Sequence, residues 1–179
     1  MTKTRRIVII SIFSCLSVVL DLIKELIPFI NMPSGGSINI SLIPIVLICF
    51  VLGTKDGIAC AVVSFLISTI FGLNNIYISP LQYLLDYIIP SICLGLAAVF
   101  YKNRKNLEMI FGISVVMIIR TISIIISGAY YWFESTSVAG SKEAVIGSLV
   151  YNLPYSLLTT LMLLLVIPLL KKVLDKYLV

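Results

Sequence analysis

From the sequence we expect an all-α integral membrane protein, with six transmembrane helices, both termini cytoplasmic, and a single domain over residues 1–179. Composition is the first reason. Apolar residues make up 60% of the chain and charged residues 12%, with a mean hydropathy of +1.13. Soluble domains run near ~45–50% apolar and ~25% charged, so this chain lacks the polar surface to cover a water-soluble core. Disorder is excluded by the same numbers. The second reason is six apolar runs bounded by charges or turn residues, at 7–28, 38–53, 57–72, 79–101, 108–128 and 143–170. The third is where the basic residues fall.

The first run carries Asp21, Lys24 and Glu25 near its end, leaving 7–20 as its clean apolar part. It has no A-x-A-like cleavage site, so we expect it to be retained as a helix. Ser11, Ser14, Cys15 and Ser17 punctuate it. Ser11 and Cys15, four apart, form a small-xxx-small face that lets another helix approach closely. The second and third runs are short, and Gly53, Lys55, Asp56 and Gly57 form a polar turn between them. The fourth and fifth runs each hold one interior charge, Asp86 and Arg120, and the sixth holds Asn152 beside Pro154.

In a six-span arrangement one side collects Lys3, Arg5, Arg6, Lys55, Lys102, Arg104, Lys105, Lys171, Lys172 and Lys176. The other side holds only Lys24 and Lys142. The excess of Lys and Arg marks the cytoplasmic face and places both termini there. The net charge of +5 is then topology and lipid contact, with no nucleic-acid partner implied. The outer connections, 29–38, 72–78 and 129–142, are rich in amides and aromatics, among them Asn31, Pro33, Gly35, Gly36, Asn74, Asn75, Tyr77, Tyr130, Tyr131 and Trp132. They read either as an interfacial aromatic belt or as a lid over a pocket.

Several chemistries drop out. The chain has no histidine, which removes the commonest acid/base group and metal ligand. Cys15, Cys49, Cys60 and Cys93 sit singly in apolar runs and read as small buried hydrophobes, with no disulfide or metal site. There is no phosphate loop, no HExxH and no GxSxG, so we expect no enzyme activity, no ATP hydrolysis and no cofactor.

Charges inside a membrane span are costly and mark function or pairing. Asp86 and Arg120 could meet at similar depth below the outer loops, either as an ion pair pinning two helices or as a ligand site in which Asp86 accepts hydrogen bonds. Asn152 and Asn39 add donors and acceptors toward the same side. With Tyr87, Tyr77 and Trp132 they outline an amphipathic pocket open to the outside, able to stack an aromatic ring and hold a cation against a ring face.

At this point the chain resembles the substrate-binding S components of energy-coupling-factor (ECF) vitamin transporters, most closely the thiamine-specific family. The resemblance is carried by the small-residue first helix, ISLIPIVLICFVLG, LLDYIIPSICLGLA, GAYYW and SLVYNL. It implies that Asp86 corresponds to the family's fourth-helix acid, Arg120 to its fifth-helix Lys, Trp132 to its loop Trp and Asn152 to its sixth-helix Asn. Asn39 stands where the family has a second-helix Glu, Gly35 near its first-loop Trp, Ile124 at its fifth-helix His and Gly147 at its sixth-helix Tyr.

The resemblance further implies a high-affinity binding subunit for a vitamin, thiamine above all, in the cell membrane; Ile, Asn and Lys usage points to a Gram-positive bacterium. A membrane coupling subunit, docking on the Ser11 and Cys15 face, and two cytoplasmic ATPases would power uptake. Two alternatives stand beside it. One is the same scaffold with another ring-containing nutrient, such as a thiamine precursor, a pyridoxine-like vitamin or a base-like compound. The other is an intramembrane enzyme or a purely structural membrane subunit, with Asp86 and Arg120 as an ion pair.

Overall fold

The computed structural model describes residues 1–24, 26–27, 32, 36–132 and 138–178, and these are organised as helices. In chain order they are α1 (Lys3–Lys24), α2 (Leu42–Leu52), α3 (Thr54–Ile70), α4 (Pro80–Leu96), α5 (Asn106–Trp132) and α6 (Lys142–Leu178). Three of them, α1, α5 and α6, are long and apolar enough to cross a membrane. Helices α2 and α4 are shorter apolar elements.

Helix α2 is apolar on every side because it is covered on every side. Ile45, Val46, Leu47, Ile48, Cys49 and Phe50 are all buried against α1, α3 and α6. The apolar residues of the outer helices point the other way. Leu157, Leu161, Leu165 and Leu169, spaced by four along α6, are all exposed. In water such a stripe would aggregate; against lipid tails it meets its own kind. Small hydroxyl residues fasten the helices inside. Ser14 Oγ donates to the Cys60 carbonyl at 3.2 Å, and Ser17 Oγ to the Ser41 carbonyl at 2.7 Å.

Helix α4 bridges α3 and α5, α5 packs along α6, and α6 closes back onto α2. One end of the bundle is tied by basic residues. Arg6 pairs with Asp56 at the start of α3, Arg5 reaches the Tyr177 carbonyl at 3.4 Å, and Lys171 lies 5.4 Å over the Tyr101 ring. The chain termini, the α2–α3 turn and the α4–α5 connection therefore share that end.

Three boundaries differ from expectation. The α2–α3 turn is Gly53 alone, at φ 106°, and Lys55, Asp56 and Gly57 already belong to α3. A left-handed φ reverses the chain in one residue, which is why so little polar sequence is needed. Trp132, expected in a loop, ends α5 instead, because Gly128 is helical at φ −56° and the chain continues as a π turn through Gly128–Trp132. Helix α6 runs on to Leu178 with Pro154 and Pro168 inside it.

Candidate functional site

The site grows out of a helix start. Ser79 caps α4 by accepting the Gln82 N–H on its Oγ at 3.1 Å, with Pro80 at the first helical position. Further along, Pro90 has no N–H to give, and the ladder widens into a π turn over Leu84–Ile88, with the Ile89 N–H reaching the Leu84 carbonyl. The Leu85 carbonyl would need the missing Pro90 N–H in that register. It accepts Ser123 Oγ of α5 at 2.7 Å instead, which docks α5 against the distorted turn. The π turn carries Asp86 and Tyr87. A second π turn, ending α5, carries Gly128 and Trp132. Such turns recur at functional sites because they re-aim side chains out of helical register.

Between these turns and α6 lies a cavity of about 450 Å³ lined by Asp86, Tyr87, Arg120, Ile124, Gly128, Trp132, Tyr151, Asn152 and Tyr155. Its size suits one small ring-bearing molecule. Asp86 Oδ2 accepts two hydrogen bonds, from Trp132 Nε1 at 2.8 Å and from Gln82 Nε2 at 2.7 Å. Arg120 faces the same space, and among the described residues its buried Nε and Nη1 have no hydrogen-bond partner. The expected alternative of an Asp86–Arg120 ion pair is not formed: the ion pairs among the described residues lie elsewhere, and the Asp86 oxygen that carries its two bonds is taken by neutral donors. Buried donors without acceptors are costly, and these two face a cavity.

Asn152 lines the wall but is largely occupied. Its Nδ2 donates to the Ser148 carbonyl at 3.0 Å and its Oδ1 accepts from the Tyr155 hydroxyl at 2.6 Å. Gly128 makes room there, since a Cβ at that position would run into Ser148 Oγ and Asn152 Nδ2. Gly36 covers Tyr155 from the first connection at similarly close range.

Five of the expected residues, Asp86, Tyr87, Arg120, Trp132 and Asn152, thus meet in one cavity. Asn39 does not join them. It lies in an adjoining polar cavity of about 230 Å³, with Asp21, Lys24 and Ser41, that shares Asp86, Tyr87 and Arg120 as a wall. There the Asn39 amide N–H donates to Thr159 Oγ1 at 3.0 Å and its side chain accepts from Ser41. Tyr77 lines neither cavity: it is 63% exposed and its ring packs on Tyr83 at 5.9 Å, which in turn packs on Tyr87 at 5.0 Å. Ser11 and Cys15 face outward from α1, while Ser14 and Ser17 face in. Gly35, with Asn31 and Pro33, lies outside the described residues.

Sequence reasoning missed Tyr151, Tyr155 and Gln82. The two tyrosines are one helical turn apart around Asn152, a same-face spacing that could have flagged them. Gly147 is not among the residues that line the cavity, whereas Tyr151, one turn further along, is.

Comparison with known proteins bears on this site. The model of the family described as "Thiamine transporter protein (Thia_YuaJ)" matches residues 7–179. "Thiamine transporter ThiT" of Bacillus subtilis (strain 168) is 30% identical over 161 residues, covering 84% of this chain and 81% of that protein. Among solved structures, that of ThiT from Listeria monocytogenes superposes with a TM-score of 0.75 at 20% identity, over 96% of this chain and 95% of the other. The structure described as the S component of a bacterial ECF transporter superposes with a TM-score of 0.66 at 24% identity, over 99% of both chains. At those identities the two structures speak for the fold.

Proposed function

The chain belongs to the thiamine transporter protein family, and from that premise we propose that it is the substrate-binding membrane subunit for thiamine uptake, an S component of an ECF transporter. The observation that carries this reading is the meeting of Asp86, Arg120, Trp132 and three tyrosines around one cavity of ligand size. An exocyclic amine on an aromatic ring needs an acceptor, and Asp86 supplies it. The ring needs a face to lie against, which Trp132, Tyr87 or Tyr151 offers. Ring nitrogens or a hydroxyl need donors, and the unpartnered N–H groups of Arg120 meet that need. A cationic ring is further favoured by aromatic faces.

The membrane arrangement that goes with this reading has six spans and both termini in the cytoplasm. Its support is the basic end of the bundle, where Arg5, Arg6 and Lys171 hold the termini and turns together. The cavity then opens to the outside. ATP chemistry belongs to two cytoplasmic ATPases, and a membrane coupling subunit docks on the outward face of α1 at Ser11 and Cys15.

Trp132 is the only tryptophan in the chain, so its emission reports on the site directly. Titrating thiamine into purified protein should quench that emission saturably, and a pyridoxine-like competitor should not displace it. An emission that stays unchanged up to millimolar thiamine, with no heat of binding, would overturn the proposal.

A further inference from the structure

We propose that Gln82 is a positioning residue that fixes the Asp86 carboxylate for ligand and ties it to the connection between α3 and α4. Gln82 sits three residues after the Ser79 cap, where a Gln ordinarily reaches back to the backbone just before the helix and leaves the rest of its amide in water. Here the first half of that habit is kept: Gln82 Oε1 accepts the Ile78 N–H at 3.1 Å. The second half is not. The side chain is 0% exposed, and its Nε2 points at Asp86 Oδ2, 2.7 Å away. A cap residue has no need of burial or of a carboxylate partner, so capping alone does not account for it.

The consequence for binding follows from how donors are shared. Gln82 and Trp132 both donate to the same oxygen of Asp86. Two fixed donors on Oδ2 hold the carboxylate plane, and hydrogen bonds to a charged acceptor are the stronger kind. Among the described residues no donor reaches Oδ1, which is left for a ligand amine. Gln82 also makes one rigid path from Ile78, which is 50% exposed, through its buried amide to the site. Connection geometry and carboxylate orientation are thereby a single variable.

This inference rests on the binding-subunit reading above, and a double-mutant cycle separates the two. Gln82→Leu removes the donor and keeps an apolar side chain of similar length. Gln82→Met removes it too, with an unbranched apolar side chain of the length of Gln. In the native background each should weaken thiamine binding about 10- to 100-fold. In an Asp86→Asn background the Gln82→Leu change should cost less than about 3-fold, because the charged carboxylate it orients for the ligand is gone. An equal loss in both backgrounds, or a native dissociation constant in Gln82→Leu or Gln82→Met, overturns the positioning role. Ligand-free Trp132 emission tests the same role without thiamine. Gln82→Leu should shift its maximum as the shared carboxylate reorients, and the shift should vanish when Asp86 is Asn. Native protein that binds no thiamine overturns the transporter reading alone; an unmoved emission maximum overturns the Gln82 assignment.

Discussion

Asp86 is legible in the sequence as a charge inside an apolar run, but its partners are not. An ion pair with Arg120, one of the two readings the sequence left open, assumed that opposite charges at similar depth find one another. The fold instead gives the carboxylate two neutral donors and, among the described residues, leaves buried Arg120 nitrogens without an acceptor. Replacing Asp86 by Asn swaps an acceptor for a group with a donor end. Whichever way the amide turns, either Gln82 and Trp132 or the ligand amine then faces an N–H. We expect thiamine affinity to fall by about 2–5 kcal/mol, from the loss of a buried charge-assisted contact. Titration beside thermal melting of the same sample checks this. A melting temperature that drops with an unchanged dissociation constant would take Asp86 out of the site.

At the scale of elements, the two π turns do the aiming. Pro90 could be read from the sequence as a break in the fourth run, and the widened turn before it follows from its missing N–H. That Ser123 of α5 would fill the freed Leu85 carbonyl could not be read, because it depends on how α5 lies against α4. Gly128 shows the same limit. From sequence it marks the end of a span, yet it is a helical residue whose missing Cβ lets α5 approach Ser148 and Asn152 of α6. Gly128→Ala should therefore destabilise the protein by roughly 1–3 kcal/mol, as overpacking does, and weaken binding by pushing Trp132 off Asp86. Adding Ser148→Ala should recover part of both losses in melting and titration. If the double variant is no better than the single, the contact with Ser148 is not what Gly128 is for.

For the whole molecule, the cavity and the outward face of α1 are separate surfaces, to which the proposed function gives separate tasks. Ser11 and Cys15 are exposed and line neither cavity; the Ser11 hydroxyl bonds only its own helix, at the Ile7 carbonyl 3.0 Å away. Ser11→Leu or Cys15→Leu should leave thiamine binding by the isolated subunit within about 2-fold of native, since exposed changes of this kind shift energies by less than ~0.5 kcal/mol. Uptake by cells should be lost, because a bulky residue keeps a second helix from packing there. Uptake assays and titration of the same variants check the pair. Binding that falls along with transport would assign this face to the subunit's own integrity.

Composition and hydrophobic run length determined an all-helical membrane class, since long continuous apolar runs satisfy their backbone in lipid as helices, whereas a barrel needs strands of alternating polarity. The positions of intramembrane charges and aromatics pointed to Asp86, Arg120, Trp132 and Asn152, for burial of such groups is too costly to be incidental. Which of them touch was decided only by tertiary structure. Tyr77 fell away from the cavity, Asn39 fell into its neighbour, and Tyr151, Tyr155 and Gln82 entered unannounced. The reason is physical. A sequence carries the hydrophobic cost of each residue, which is local, while hydrogen-bond partners depend on π turns and close glycine contacts that rotate side chains between helices.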